Sequence, residues 1–131
     1  MGDAIIETLL EPGTWYHDVK ESIMGLSIDL VKNIREKINV LAENNNMYAQ
    51  NILGEFYYID HECEKPYPGK SLLISYNLFL KSAHQGYQIA IKNIHYLITY
   101  HYLFFSDNDL IDLAKKYDLV KDTGGIWTVT T

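Results

Sequence analysis

The chain has 131 residues, 47% of them hydrophobic, which suffices for one domain with its own core and no covalent staple. A formal net charge of −6 weighs against direct nucleic-acid binding, which wants a basic face. The single cysteine, Cys63, excludes a disulfide within these residues. Asp3 and Glu7 stand where a secretory signal would need bases, and Ile6 where a myristoylation motif would need Ser or Thr. The most apolar run, 94–105, is too short to span a bilayer and reads as a buried helix. The expectation is a cytoplasmic chain with no membrane contact.

In chain order, Ile5, Ile6, Leu9 and Leu10 form a short amphipathic pattern that Pro12-Gly13 ends. Thr14 is placed to cap a second helix starting near Trp15, and Gly25 weakens or breaks it. Ser27 restarts a helix whose stripe is Ile28, Val31, Ile34, Ile38 and Leu41, closed by Asn44-Asn45-Asn46. The periodicity predicts helices over 29–43, 47–59, 70–84 and 87–104. Pro66 and Pro68 make 60–69 a loop. Ser106-Asp107-Asn108-Asp109 resembles a capping box and predicts a helix over 107–118, with Lys115 and Lys116 suited to its carboxyl end. Gly124-Gly125 ends it, and residues 126–131 have strand-like composition without an obvious partner strand.

Two passages read alike at an offset of 41 residues. Ala42 meets Ala83, Asn45 meets Gly86, Ala49 meets Ala90, Leu53 meets Ile94 and Tyr57 meets Ile98. A fixed offset of this size is the mark of stacked helical repeats. Asn45 and Gly86 suit a left-handed turn between helices, while Ala49 and Ala90 leave room for a neighbour's close approach.

The pattern Ala49-x-x-x-Leu53-Gly54-x-x-Tyr57, followed by Lys81-Ser82-Ala83-His84-Gln85-Gly86-x-x-x-Ala90, resembles a Sel-one-like repeat, a relative of the tetratricopeptide repeat. Asn45 stands where that family has glycine, Ser82 where it has alanine, and His95 where the second repeat would have glycine. The resemblance implies an all-α fold, a short α-solenoid of antiparallel helix pairs with an extended carboxyl-terminal tail. It divides one domain, 1–131, into capping helices (1–44), a complete repeat (45–86), a partial second repeat (87–119) and a tail (120–131). It also implies a scaffold for binding proteins, with no catalytic residues to carry over.

Chemistry is sparse. His61-Glu62-Cys63-Glu64 lacks a second ligand pair at a metal-binding spacing, and Cys63 with His61 has no fixed geometry for nucleophilic work. There is no G-x-S-x-G elbow or phosphate-binding glycine loop. The carboxylates fall on faces read as exposed. The reading is that the chain is not an enzyme and holds no metal or cofactor.

Charge and aromatics point to a protein partner instead. Residues 1–64 hold 12 acids and 4 bases, whereas 65–105 hold 4 bases and no acid. Eleven tyrosines are many for this length; Tyr57 and Tyr76 read as core, Tyr58 and Tyr96 as interface anchors. In solenoids of this kind the first helices of successive units line one surface. Asn51, Glu55 and Tyr58 would lie there from one unit, and Lys92, Tyr96 and Thr99 from the next. Asp60, Glu62 and Glu64 would add carboxylates at one end. By size, charge and repeat type the chain resembles bacterial immunity proteins, so the expected partner is a basic toxin domain, in all expectation a nuclease. A general adaptor for a peptide or protein is the rival reading, and an enzyme the third.

Overall fold

The computed structural model describes residues 2–14, 16–63, 70–101, 119–121 and 127–129. Six helices make up nearly all of it: α1 (Asp3–Leu9), α2 (Tyr16–Ile23), α3 (Ile28–Glu43), α4 (Met47–Cys63), α5 (Lys70–His84) and α6 (Gln88–His101). Strand β1 (Leu119–Lys121) then pairs antiparallel with β2 (Trp127–Val129), Val120 opposite Thr128.

The α3–α4 and α5–α6 turns are built alike. Asn45 has φ 68° and Gly86 φ 91°, the left-handed conformation that ends a helix. The amide of Asn45 donates to Ala42 O at 3.1 Å and that of Asn46 to Leu41 O at 3.1 Å. Forty-one residues on, Gly86 donates to Ala83 O at 2.9 Å and Tyr87 to Ser82 O at 3.5 Å. Each turn is a Schellman motif, so the sequence offset is also an offset in backbone hydrogen bonding. Asparagine serves at the first turn because its short polar side chain tolerates positive φ better than other non-glycine residues. Its neighbour Asn46 caps α4, its side-chain oxygen accepting from Ala49 N at 3.0 Å. Ser27 caps α3 as expected, accepting from Leu30 N at 3.2 Å.

Helix α4 is the centre of the packing. On one side it joins a core with Ile6, Leu9, Val19, Ile34, Ile38 and Ala42 from α1, α2 and α3. On the other, Tyr58 joins Leu72, Phe79, Ala83, Ala90, Ile94, Leu97 and Ile98 from α5 and α6. Polar contacts give the directions. Gln50 reaches Ala42 O while Arg35 reaches Asp60, so α3 and α4 run antiparallel. Ser82 Oγ donates to Met47 O at 2.7 Å and Ser75 Oγ to Gly54 O at 2.6 Å, so α5 is antiparallel to α4 as well. Tyr48 meets Tyr87 and Tyr58 meets Tyr96, so α6 runs parallel to α4.

Small residues set the close approaches. Ala49 and Ala90 are fully buried, as the 41-residue register predicts. Gly54 permits the tightest contact, since a Cβ there would stand 2.6 Å from the Phe79 ring and 3.2 Å from Ser75 O. Glycine inside a helix is costly in itself, and the α4–α5 contact is its physical reason.

Three expectations need correction. Helix α4 continues to Cys63, so Asp60, His61 and Glu62 are helical and the loop does not begin at residue 60. No breaker stands before Pro66, and Asp60 is tied to α3 by Arg35 at 2.6 Å. Leu119 lies in β1, which supplies a partner for Trp127–Val129 that composition alone did not reveal. Tyr57 and Tyr76 are half-buried at the edge of the core, Tyr57 with the Arg35 guanidinium 4.4 Å from its ring centroid. The helix expected over 107–118 and the prolines at 66 and 68 lie outside the described residues.

Replacing Gly54 by alanine should destabilise the protein by about 1–3 kcal/mol through overpacking against Phe79. Replacing the exposed Gly86, whose φ is 91° with open space around it, should cost about 1 kcal/mol through backbone strain alone. Urea denaturation of both variants checks the order of these two effects.

Candidate functional site

The face of α4 read as surface is interior. Asn51 is 0% exposed and Glu55 1%, wedged between α4 and α6 with Asp18 of α2 acting on Glu55 as a like charge. Tyr58 is buried too. The reason is enclosure: α2 and α6 cover the side of α4 that would otherwise line an open groove. Glu55 also overturns the expectation that the carboxylates lie only on exposed faces. Among the described residues it is the one buried carboxylate.

A polar seam results. Asn93 of α6 donates its amide to Asn51 Oδ1 at 2.9 Å and to Glu55 Oε1 at 3.2 Å. Asn51 Nδ2 and Glu55 Oε2 are buried with no hydrogen-bond partner. Burial pushes the Glu55 carboxyl up to about 8; the Asn93 amide opposes this and the Asp18 charge adds to it. At neutral pH Glu55 is therefore mostly a neutral acid. One turn away Gln50 donates to Ala42 O at 3.2 Å, and Gln85 of α5 donates to Gln50 Oε1 at 2.9 Å. These contacts join the helix-ending turn at Asn45 to its counterpart near Gly86.

The solvent face lies on α6. Gln88, Lys92, Tyr96 and Tyr100 follow one another at four-residue spacing, and all are exposed. Tyr96 is 46% exposed and Tyr100 66%, with ring centroids 4.6 Å apart. Tyr58 supports Tyr96 edge-on at 5.8 Å, and burial followed by the hydrogen bond with Tyr96 pushes the Tyr58 hydroxyl up. His61 stands 6.3 Å from Tyr58 on the same side. Thr99 is half-buried beside this stripe.

The expected site residues therefore divide. Lys92 and Tyr96 share an exposed stripe with Thr99 at its edge. Asn51, Glu55 and Tyr58 form the layer beneath. Asp60 faces α3 in its ion pair with Arg35 and does not join them. Glu62 is exposed near the end of α4, and Glu64 lies outside the described residues. Two participants went unread in the sequence. Tyr100 was signalled by its position one turn after Tyr96. Asn93 carried no comparable signal, because its role depends on which polar groups α4 brings to it.

Among the described residues no group of three His, Cys, Asp or Glu side chains could hold a metal ion, and no helix is long and apolar enough to cross a membrane. An open cleft beside the α1–α2 turn is lined in part by Glu11, Asp18 and Glu21. No family model, curated protein or solved structure matches the chain.

The raised Glu55 carboxyl has a definite consequence for stability. Unfolded, it titrates at its ordinary 4.5; folded, at about 8. Its contribution is complete below 4.5 and is lost as pH rises toward 8, because the unfolded chain ionises first. Each unit of difference is worth about 1.4 kcal/mol, so the melting temperature should fall over this window. Glu55→Gln should flatten that part of the profile and raise the melting temperature at pH 8. Calorimetry at pH 5, 6.5 and 8 checks it.

Proposed function

We propose that the chain is a protein-binding module that occludes one basic protein partner in the manner of an immunity protein, the partner being a toxin domain and, by its need for a basic substrate-binding face, a nuclease. The observation that carries this reading is the Tyr96–Tyr100 pair, large aromatic surface held toward solvent by a buried Tyr58. Tyrosines so placed give much contact area at little entropic cost. The net charge of −6 and the carboxylates Glu11, Glu21 and Glu62 favour a basic partner by steering its approach.

The architecture we assign is a short Sel-one-like or tetratricopeptide-like stack. It is supported by the two Schellman turns 41 residues apart and by α4 and α6 running parallel as first helices of successive pairs. We place its action in the cytoplasm, where a toxin inhibitor would meet its target, and give it no reaction of its own.

The test is capture of a partner from the native host, followed by binding kinetics. Tyr96→Ala and Tyr100→Ala should each speed dissociation, with a cost on the order of 2 kcal/mol for a central anchor. Glu62→Gln should chiefly slow association, an effect that fades as salt is raised. A captured partner that is neither basic nor toxic would replace the immunity reading with the adaptor reading. Rates unchanged by all three substitutions would remove the α6 surface from the interface.

A further inference from the structure

We propose that a proton on Glu55 latches the amino-terminal helices α1 and α2 onto the rest of the fold, so that ionisation of Glu55 releases these two helices while the rest of the fold persists. Two attachments of the amino-terminal segment lie within electrostatic reach of one buried carboxyl. Tyr87, the residue before α6, accepts a hydrogen bond from Gly13 N at 2.8 Å, and its hydroxyl feels the charge of Glu55. Asp18 of α2 acts on Glu55 as a like charge. Its neighbour Val19 is fully buried in the core that α2 shares with α4.

The groups facing Glu55 decide which form the site accepts. From α2 there is Asp18, which acts as a like charge. From α6 there is the Asn93 amide, whose two N–H groups go one to Asn51 Oδ1 and one to Glu55 Oε1, and from the residue before α6 the Tyr87 hydroxyl. On α4 itself Asn51 stands one turn away with its own Nδ2 unpartnered. Among the described residues no cation acts on Glu55. An ionised Glu55 would hold a buried charge on one amide N–H, with the exposed Asp18 acting on it as a like charge. The protonated form removes the repulsion and most of the desolvation penalty. The ionised carboxylate gains hydration only if a covering helix lifts. Helices α5 and α6 are held to α4 by Gly54 against Phe79, by Ser75 and Ser82, and by the larger apolar cluster. Helices α1 and α2 are short, 7 and 8 residues, and supply three of the ten buried residues of their core, Ile6, Leu9 and Val19, with the exposed pair Asp3–Lys37 tying α1 to α3.

The sign is fixed by linkage. In the released state Glu55 meets water and titrates near its ordinary 4.5; in the docked state it titrates at about 8. Docking is therefore strongest at low pH. It weakens roughly tenfold per pH unit between these values and levels off above the upper one.

The experiment is pulsed hydrogen exchange with mass spectrometry on the intact chain from pH 5 to 9, with rates corrected for intrinsic exchange. Protection in residues 3–23 should fall about tenfold per unit to near pH 8 and then level off, while residues 71–84 keep theirs. Glu55→Gln should remove the pH dependence. Asp18→Asn should move the levelling point to lower pH, because one anion less faces Glu55. Carbon-13 titration of the Glu55 carboxyl in the unsubstituted protein decides the matter should Glu55→Gln fail to fold. A midpoint at an ordinary carboxylate value overturns the proposal. So does a pH dependence that survives Glu55→Gln, or a loss of protection shared equally by all the helices.

Discussion

The enclosure of α4 is the constraint on which the rest depends. Every residue from Ala49 to Phe56 is buried, more than two full helical turns with no solvent-facing side. A helix so placed cannot be amphipathic in the ordinary sense, and its polar residues must find partners in the protein. Gln50 finds Ala42 O and Gln85; Asn51 and Glu55 share the amide of Asn93. Where partners run short, at Asn51 Nδ2 and Glu55 Oε2, the protein responds by keeping the carboxyl protonated. The neighbours of α4 are thus fixed by polar complementarity as well as by apolar packing.

The sequence was legible where periodicity and turn chemistry speak directly. Asn45 and Gly86 were readable as left-handed turns because few residue types suit that conformation. Ala49, Ala90, Leu53 and Ile94 were readable as buried because their spacing is helical and repeated. The exposure of α6 at Lys92 and Tyr96 was readable from the same register. What failed was the assumption that equivalent positions have equivalent surroundings. Asn51 and Glu55 are the 41-residue counterparts of Lys92 and Tyr96, yet the first pair is covered by neighbouring helices and the second faces solvent. Helical periodicity assigns a residue to a face, but the number of neighbours that cover that face is a tertiary property. Tyr58 was misplaced for the same reason, lying beneath Tyr96.

The two layers have separate work in the proposed function. The exposed tyrosine pair offers contact area; the seam beneath holds α6, on which that pair is mounted, in register with α4. An acidic surface accelerates encounter with a basic partner, but the rigid mounting of the aromatics determines how long the complex lasts. A buried carboxyl in the same seam ties the integrity of the module to pH.

The polar register between α4 and α6 is the central structural claim, and a double-mutant cycle tests it most directly. Asn51→Leu, Asn93→Leu and the double variant would be compared by urea denaturation. Two side chains joined by a part-buried hydrogen bond at 2.9 Å should show a coupling energy of about 0.5–3 kcal/mol. Substitutions that add to within about 0.3 kcal/mol would mean that Asn51 and Asn93 do not meet, and would contradict the register of α6 on α4.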